Sequence, residues 1–258
     1  MKKVLLICIS LTVVFCMLFS LASCKKEPAE EPEDDFTVST KATTKPVEIV
    51  EVPTDKEELT KMLNSAVEYI ELYCYNYTKN VNCKVSDVSL GSLSAASNAS
   101  EAFRSIFGEK NTTINYSYNA SRDTFSANFP SSGYTTEEVQ SISAQQVGDK
   151  IVITATFPNE TNPTDDSGVL YRLCPDYQNT EDIKKALSDF GSSAASASIR
   201  ASDIAIKATV RAQDSGLEKL EVSYTQRYTL SGVTLVKLEG STVTGTAKTT
   251  VIYSGMDA

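Results

Sequence analysis

The chain has 258 residues, with 33 acidic against 24 basic side chains, a formal charge of −9 and a pI near 4.7. That balance gives no electrostatic reason to seek a phosphate backbone, so nucleic acid is not an expected partner. Histidine is absent, which removes Ser-His-Asp and Cys-His nucleophile systems, HExxH metalloproteases and most catalytic zinc sites. Tryptophan is absent too, which weakens any sugar-stacking platform.

Met1-Lys2-Lys3 is a short basic run, and residues 4–21 are apolar. Leu21-Ala22-Ser23-Cys24 follows, and a charged, Pro-rich stretch begins at once. Small residues before a cysteine and charge directly after it point to a processed leader, not to a spanning helix. The segment resembles the bacterial lipoprotein signal, with its Leu, two small residues and Cys. The resemblance implies that residues 1–23 are a signal peptide cut between Ser23 and Cys24. It also implies that the Cys24 thiol carries diacylglycerol and that acyl chains such as palmitate anchor the protein. Two such chains hold a protein at the cell membrane, at about 0.8 kcal/mol per buried methylene. The expected location is therefore the cell membrane, with the domain facing outside the cytoplasm. Of the 24 basic groups, Lys2 and Lys3 would leave with the leader; 22 against 33 acidic groups give the mature chain a charge of −11.

Residues 24–53 read as a tether. They hold Pro28, Pro32, Pro46 and Pro53, the run Glu30-Glu31-Pro32-Glu33-Asp34-Asp35 and a Thr-rich stretch over 37–44. Dense like charge and few apolar groups leave nothing to bury, so this stretch is expected to be a solvated spacer. A flexible chain of this length spans roughly 30 Å root-mean-square.

Residues 54–258 read as one α+β extracytoplasmic domain. Thr54 with Glu57 forms a capping-box pattern. Leu59, Met62, Leu63, Ala66, Tyr69, Ile70, Tyr73 and Tyr77 then recur at spacings of three and four, which predicts an amphipathic helix of about five or six turns. Its aromatic stripe, Tyr69, Tyr73, Tyr75 and Tyr77, reads as core. After it the period falls to two, in Ile114-Tyr116-Tyr118, Phe125-Ala127-Phe129 and, past the turn Gly148-Asp149, Ile151-Ile153-Ala155-Phe157. A second helix is expected over 180–190, stopped by Gly191. Ile204, Ile206, Ala208 and Val210 then alternate with polar residues. Past the turn Asp214-Ser215-Gly216, the residues Leu220, Val222, Tyr224, Gln226, Tyr228 and Leu230 line one face of a strand, and a last strand covers about 242–253. Alternation with one polar face means antiparallel pairing. The predicted fold is one or two helices packed on a curved antiparallel sheet. Lys84-Val85-Ser86-Asp87-Val88-Ser89-Leu90 echoes Arg200-Ala201-Ser202-Asp203-Ile204-Ala205-Ile206, as two related halves would. The Ser/Ala-rich stretches 92–100 and 192–198 read as loops or a short helix.

Outside the leader and Cys24 the chain has Cys74, Cys83 and Cys174. A disulfide is permitted outside the cytoplasm, between Cys74 and Cys83 or between Cys83 and Cys174, and three buried thiols are the equal alternative. No cysteine has the histidine that would make it a nucleophile. The loop over 159–166 is rich in oxygen ligands but lacks the EF-hand spacing, so it reads as a solvated acidic turn. No Ser-x-x-Lys, Walker loop or GxGxxG occurs. No catalytic residue, metal or cofactor is expected, and the chain is expected to act by binding. The architecture is broadly similar to half-barrel lipid-carrying lipoproteins of the LolA and LppX type, a likeness of architecture alone. That likeness implies an apolar cavity lined by Ile204, Ile206, Tyr224, Tyr228 and Leu230, which otherwise form a filled core. The alternative partner is a protein recognised by strand edges or loops.

Overall fold

The first helix, α1 (Lys56–Tyr73), is capped by Asp55, whose carboxylate accepts from the Glu57 and Glu58 amides at 2.9 and 3.1 Å. The cap thus falls one residue later than the Thr54 pattern suggests, because Asp55 reaches the same amides with a charge that also suits the positive helix end. The helix runs 18 residues and buries Leu59, Leu63, Ala66, Val67 and Ile70. Tyr77, expected on its stripe, belongs to the following strand and is buried there, while Tyr73 and Tyr75 are 55% and 51% exposed. The aromatic stripe is therefore core only in part. This computed structural model describes residues 51–257 apart from 96–97, 119–127, 165–167, 176 and 236–237. The leader, Leu21–Cys24, most of the tether, Phe125, Ala127, Asp165 and Asp166 lie outside the described residues.

The strands are β1 (Asn76–Ser89), β2 (Lys110–Ser117), β3 (Ser141–Val147), β4 (Lys150–Thr156), β5 (Glu160–Thr161), β6 (Ser192–Ser193), β7 (Ser196–Arg211), β8 (Leu217–Leu235) and β9 (Leu238–Asp257). They form one open antiparallel sheet in the order β2-β1-β9-β8-β7-β4-β3, with β5 paired to β7 and β6 to β8. Three more helices complete an α+β fold on the curved sheet: α2 (Ala99–Ile106), α3 (Val169–Leu173) and α4 (Thr180–Asp189). A 3-10 turn, Gly91–Ala95, precedes α2, so the Ser-rich stretch after β1 is partly helical. The α4 cap is a reciprocal box between Asn179 and Asp182, which fixes its start despite its shortness.

The sequence echo has a structural counterpart. Asp87 and Asp203 are both left-handed, at φ 53° and 54°. Each marks a bulge: β1 slips against β9 between Ser86↔Thr246 and Ser89↔Thr244, and β7 slips against β8 between Ser202↔Thr225 and Ala205↔Ser223. Asp tolerates this conformation because its short polar side chain bonds locally, and Ser86 and Ser202 each donate to the neighbouring Asp carboxylate at 3.0 and 3.3 Å. The register thus carries β1 onto β7 and β9 onto β8 about a local two-fold at the facing pair Gln226↔Ala247. Tyr73 and Asp189, the last residues of α1 and α4, are equivalent, as are the buried Val67 and Ile183. The relation ends at the outer strands, since β2 pairs with β1 before its bulge and β4 with β7 after it.

The four described helices cover one face of the sheet, over two core clusters. One gathers α1, α3, β4 and the ends of β7, β8, β1 and β9 that carry Ile206, Leu220, Val81 and Val251. The other gathers α2, α4 and the opposite ends of the long strands, with Val85, Ile199, Leu230 and Val243. Ile114, on the edge strand β2 and directly opposite the buried Lys79, is 42% exposed. Among the described residues no helix is long and apolar enough to cross a membrane.

Candidate functional site

Where the two clusters meet, the inner face turns polar. β8 contributes Tyr224, Gln226 and Tyr228, β9 contributes Thr249, and the end of α2 and the α3–α4 connection close the seam with Phe107, Cys174 and Gln178. Together they line a half-open cleft of about 290 Å³. A hydrogen-bond relay crosses it. The Tyr228 hydroxyl donates to Gln226 Oε1, Gln226 Nε2 donates to the Gln178 carbonyl, and Gln178 Nε2 donates to the Ile106 carbonyl, each at 2.9 Å. The relay ties sheet, connection and α2 together, so the polar residues that break the core also fix its roof.

Phe107 lies flat on Tyr228, ring centroids 4.6 Å apart and planes within 5°. Its ring fits because β9 offers a glycine beneath it: a Cβ at Gly245 would stand 2.5 Å from Phe107 Cε2. The Tyr224 hydroxyl and Cys174 Sγ are 3.6 Å apart. Gln178 Oε1 is buried and accepts no hydrogen bond among the described residues. A buried amide oxygen of this kind is expensive to leave unmet and favours an occupant with a donor.

The inner walls of the cleft are uncharged. Burial pushes the Tyr224 and Tyr228 phenols above their ordinary values, in Tyr224 with help from the neighbouring Cys174. Burial also raises the Cys83 thiol, against the opposing pull of Thr249 and Lys110. All three stay protonated at neutral pH, so the walls present hydroxyl, thiol and amide groups, not a thiolate or phenolate. The rim is charged: Glu109 and Lys110 also line the cleft, both exposed, and Glu109 meets Arg104 at 3.3 Å.

Of the residues singled out from the sequence, Tyr224 and Tyr228 come together on the cleft wall with Cys83 and Cys174. Ile204, Ile206 and Leu230 do not reach it and are filled core, at most 1% exposed. Cys74, Cys83 and Cys174 are buried thiols, and Cys74 donates to the Asn76 carbonyl at 2.9 Å. Glu160, in the oxygen-rich loop, accepts from the Val169 and Leu170 amides at 2.6 and 3.4 Å and so caps α3. Asn162 of the same loop accepts from the Ile199 amide at 2.8 Å. No cluster of three metal-ligating side chains occurs among the described residues. Sequence reasoning missed Gln178, Phe107 and Gly245. Gln226 carried a usable signal, as the one amide in an otherwise apolar inward row. Comparison with protein families, with curated proteins and with solved structures finds no match for this chain.

Proposed function

We propose that the protein is a membrane-anchored bacterial surface lipoprotein that acts by binding, and that the seam cleft takes a small neutral ligand with an apolar ring and polar edges. The observation that carries the anchoring is Leu21-Ala22-Ser23-Cys24 followed directly by a charged, Pro-rich run. The cleft supports the binding half. Its volume of about 290 Å³ lies at the small end for ligand pockets, and the buried Gln178 Oε1 supplies an acceptor that nothing described satisfies. A carrier of lipid chains would want a dry, continuous cavity, and of the five residues expected to line one, Ile204, Ile206 and Leu230 are packed against their neighbours while only Tyr224 and Tyr228 reach the cleft. The uncharged inner walls around Tyr224, Gln226 and Tyr228 favour recognition over proton transfer or nucleophilic attack.

Two measurements test this reading. Cys24→Ser in the native host should release the chain from the membrane fraction, and continued retention would overturn the anchoring. Native mass spectrometry of the mature chain, taken from the host envelope, should show a small added mass that Gln178→Leu reduces. A bare chain from every preparation, or an added lipid mass, would overturn the small-ligand assignment.

A further inference from the structure

The sheet face opposite the described helices carries a charge pattern that the overall acidity hides. Lys84 on β1 stands directly opposite Lys248 on β9, and Arg200 on β7 directly opposite Arg227 on β8. Lys248 and Arg227 are diagonal neighbours across the central pair, facing Thr225 and Thr246. All four are exposed, and none has an ion pair among the described residues. They are equivalent under the local two-fold, Lys84 with Arg200 and Lys248 with Arg227, so one arrangement occurs twice around Gln226 and Ala247. Like charges directly opposite on a sheet destabilise it. Here two such pairs adjoin in a chain whose net charge is −9. Asp87 and Asp203, at the two bulges, accept from Ser86 and Ser202, and Glu221 of the same strand as Arg227 pairs with Lys219 at 3.1 Å.

We propose that this face docks on the anionic surface of the bilayer that holds the lipid anchor, with Lys84, Lys248, Arg200 and Arg227 as the contact. The proposal rests on the reading of Cys24 as the anchor. The four cations lie on adjacent strands over about 14 Å of open sheet, a two-dimensional array without the walls that would enclose a discrete ligand. Thr225 and Thr246, opposite Lys248 and Arg227, stand among them as short hydroxyl donors for phosphate oxygens. Beside Lys84 and Lys248 the face is indented by about 290 Å³, room for a headgroup. Residues 25–55 separate the anchor from α1. If that stretch is the spacer its composition predicts, its root-mean-square span is roughly 30 Å, and tethering makes even a weak attraction act at high local concentration. Anionic lipid repels the acidic remainder, so charge alone selects this face. The same four cations would repel a second copy packed back to back.

The mature chain with Cys24→Ser is the material for the test, since binding then owes nothing to acyl chains. It should sediment with vesicles containing about 30% phosphatidylglycerol at low salt and not with pure phosphatidylcholine, and about 0.5 M salt should release it. Lys84→Glu with Arg227→Glu should lower vesicle affinity at least about tenfold. Lys61→Glu with Lys185→Glu, the same charge change on the helices, should lower it much less. Circular dichroism confirms that each variant is folded. Equal binding to both vesicle types, equal loss from the two double variants, or binding to inorganic polyphosphate without binding to vesicles would each overturn the proposal. None of these outcomes bears on the anchor, which the Cys24→Ser fractionation in the host decides separately.

Discussion

Strands β8 and β9 hold equivalent places about the local two-fold, yet their inward rows differ. Where β8 presents Tyr224, Gln226 and Tyr228, β9 presents Gly245, Ala247 and Thr249, and all six are buried. On the β8 side the strand supplies the rings. On the β9 side the roof must reach down, and Phe107 fills the place that Gly245 leaves. The space remaining beside Thr249 is the cleft. A site can therefore arise from a symmetric frame without any special loop, when one of two equivalent strands gives up side-chain volume.

The strongest way to break this comparison is Tyr228→Ala. It removes the ring stacked on Phe107 and the hydroxyl bonded to Gln226, and it leaves both strands small at that position. We expect a loss of about 3–5 kcal/mol in urea unfolding. A loss below about 1 kcal/mol would mean that the roof, not β8, carries this cluster.

Gly245→Ala tests the opposite strand. The added methyl meets the Phe107 ring and must displace it, for an expected loss of about 2 kcal/mol. The displaced ring should also reduce the ligand-bound mass seen by native mass spectrometry. Gly245→Ala in a Phe107→Leu background should recover part of the stability, because a smaller roof side chain makes room. No recovery would show that the glycine is needed for another reason.

Tyr228→Phe sharpens the comparison without emptying the site. The stack survives, but Gln226 Oε1 loses its donor and stays buried, for about 1–2 kcal/mol. Thermal unfolding would read this as a few degrees.

The α1 stripe and strands β2, β4, β7, β8 and β9 were legible because periods of 2 and 3.6 come directly from burial on one face, whereas β1 was hidden behind the apparent continuation of the helix through Tyr77. The α4 boundaries were legible from Gly191 and the apolar spacing. Less legible were α2 and α3, at eight and five residues, too short for a period to stand out, and β3, whose Ser-Ile-Ser-Ala-Gln-Gln-Val pattern is only half covered. The misassigned Tyr77 shows the limit of the method: it continues the helical spacing of α1 by coincidence and is buried as a strand residue. Of the cleft, both tyrosines were visible as inward residues. Phe107 and Gln178 come from far along the chain, and only tertiary packing brings them over β8.

The smallest effect concerns alkaline pH, and it too separates the strands. The inward row of β8 carries two phenols raised by burial, and Cys83 on β1 faces the same cleft with its thiol raised from an ordinary value near 9.0. On β9, Gly245, Ala247 and Thr249 carry nothing that titrates. A group whose folded value lies above its unfolded one keeps its proton longer in the native state. Its contribution is fully present below the unfolded value and is lost as pH rises through the folded one. Stability should therefore decline above about pH 9, first through Cys83 and then, near pH 10, through Tyr224 and Tyr228. Cys83→Ala should remove the earlier part of that decline, and Tyr228→Phe should shrink the later part while leaving the earlier part in place. If both variants keep the wild-type slope between pH 8 and 11, the alkaline loss arises elsewhere and the cleft is wetter than the buried phenols imply.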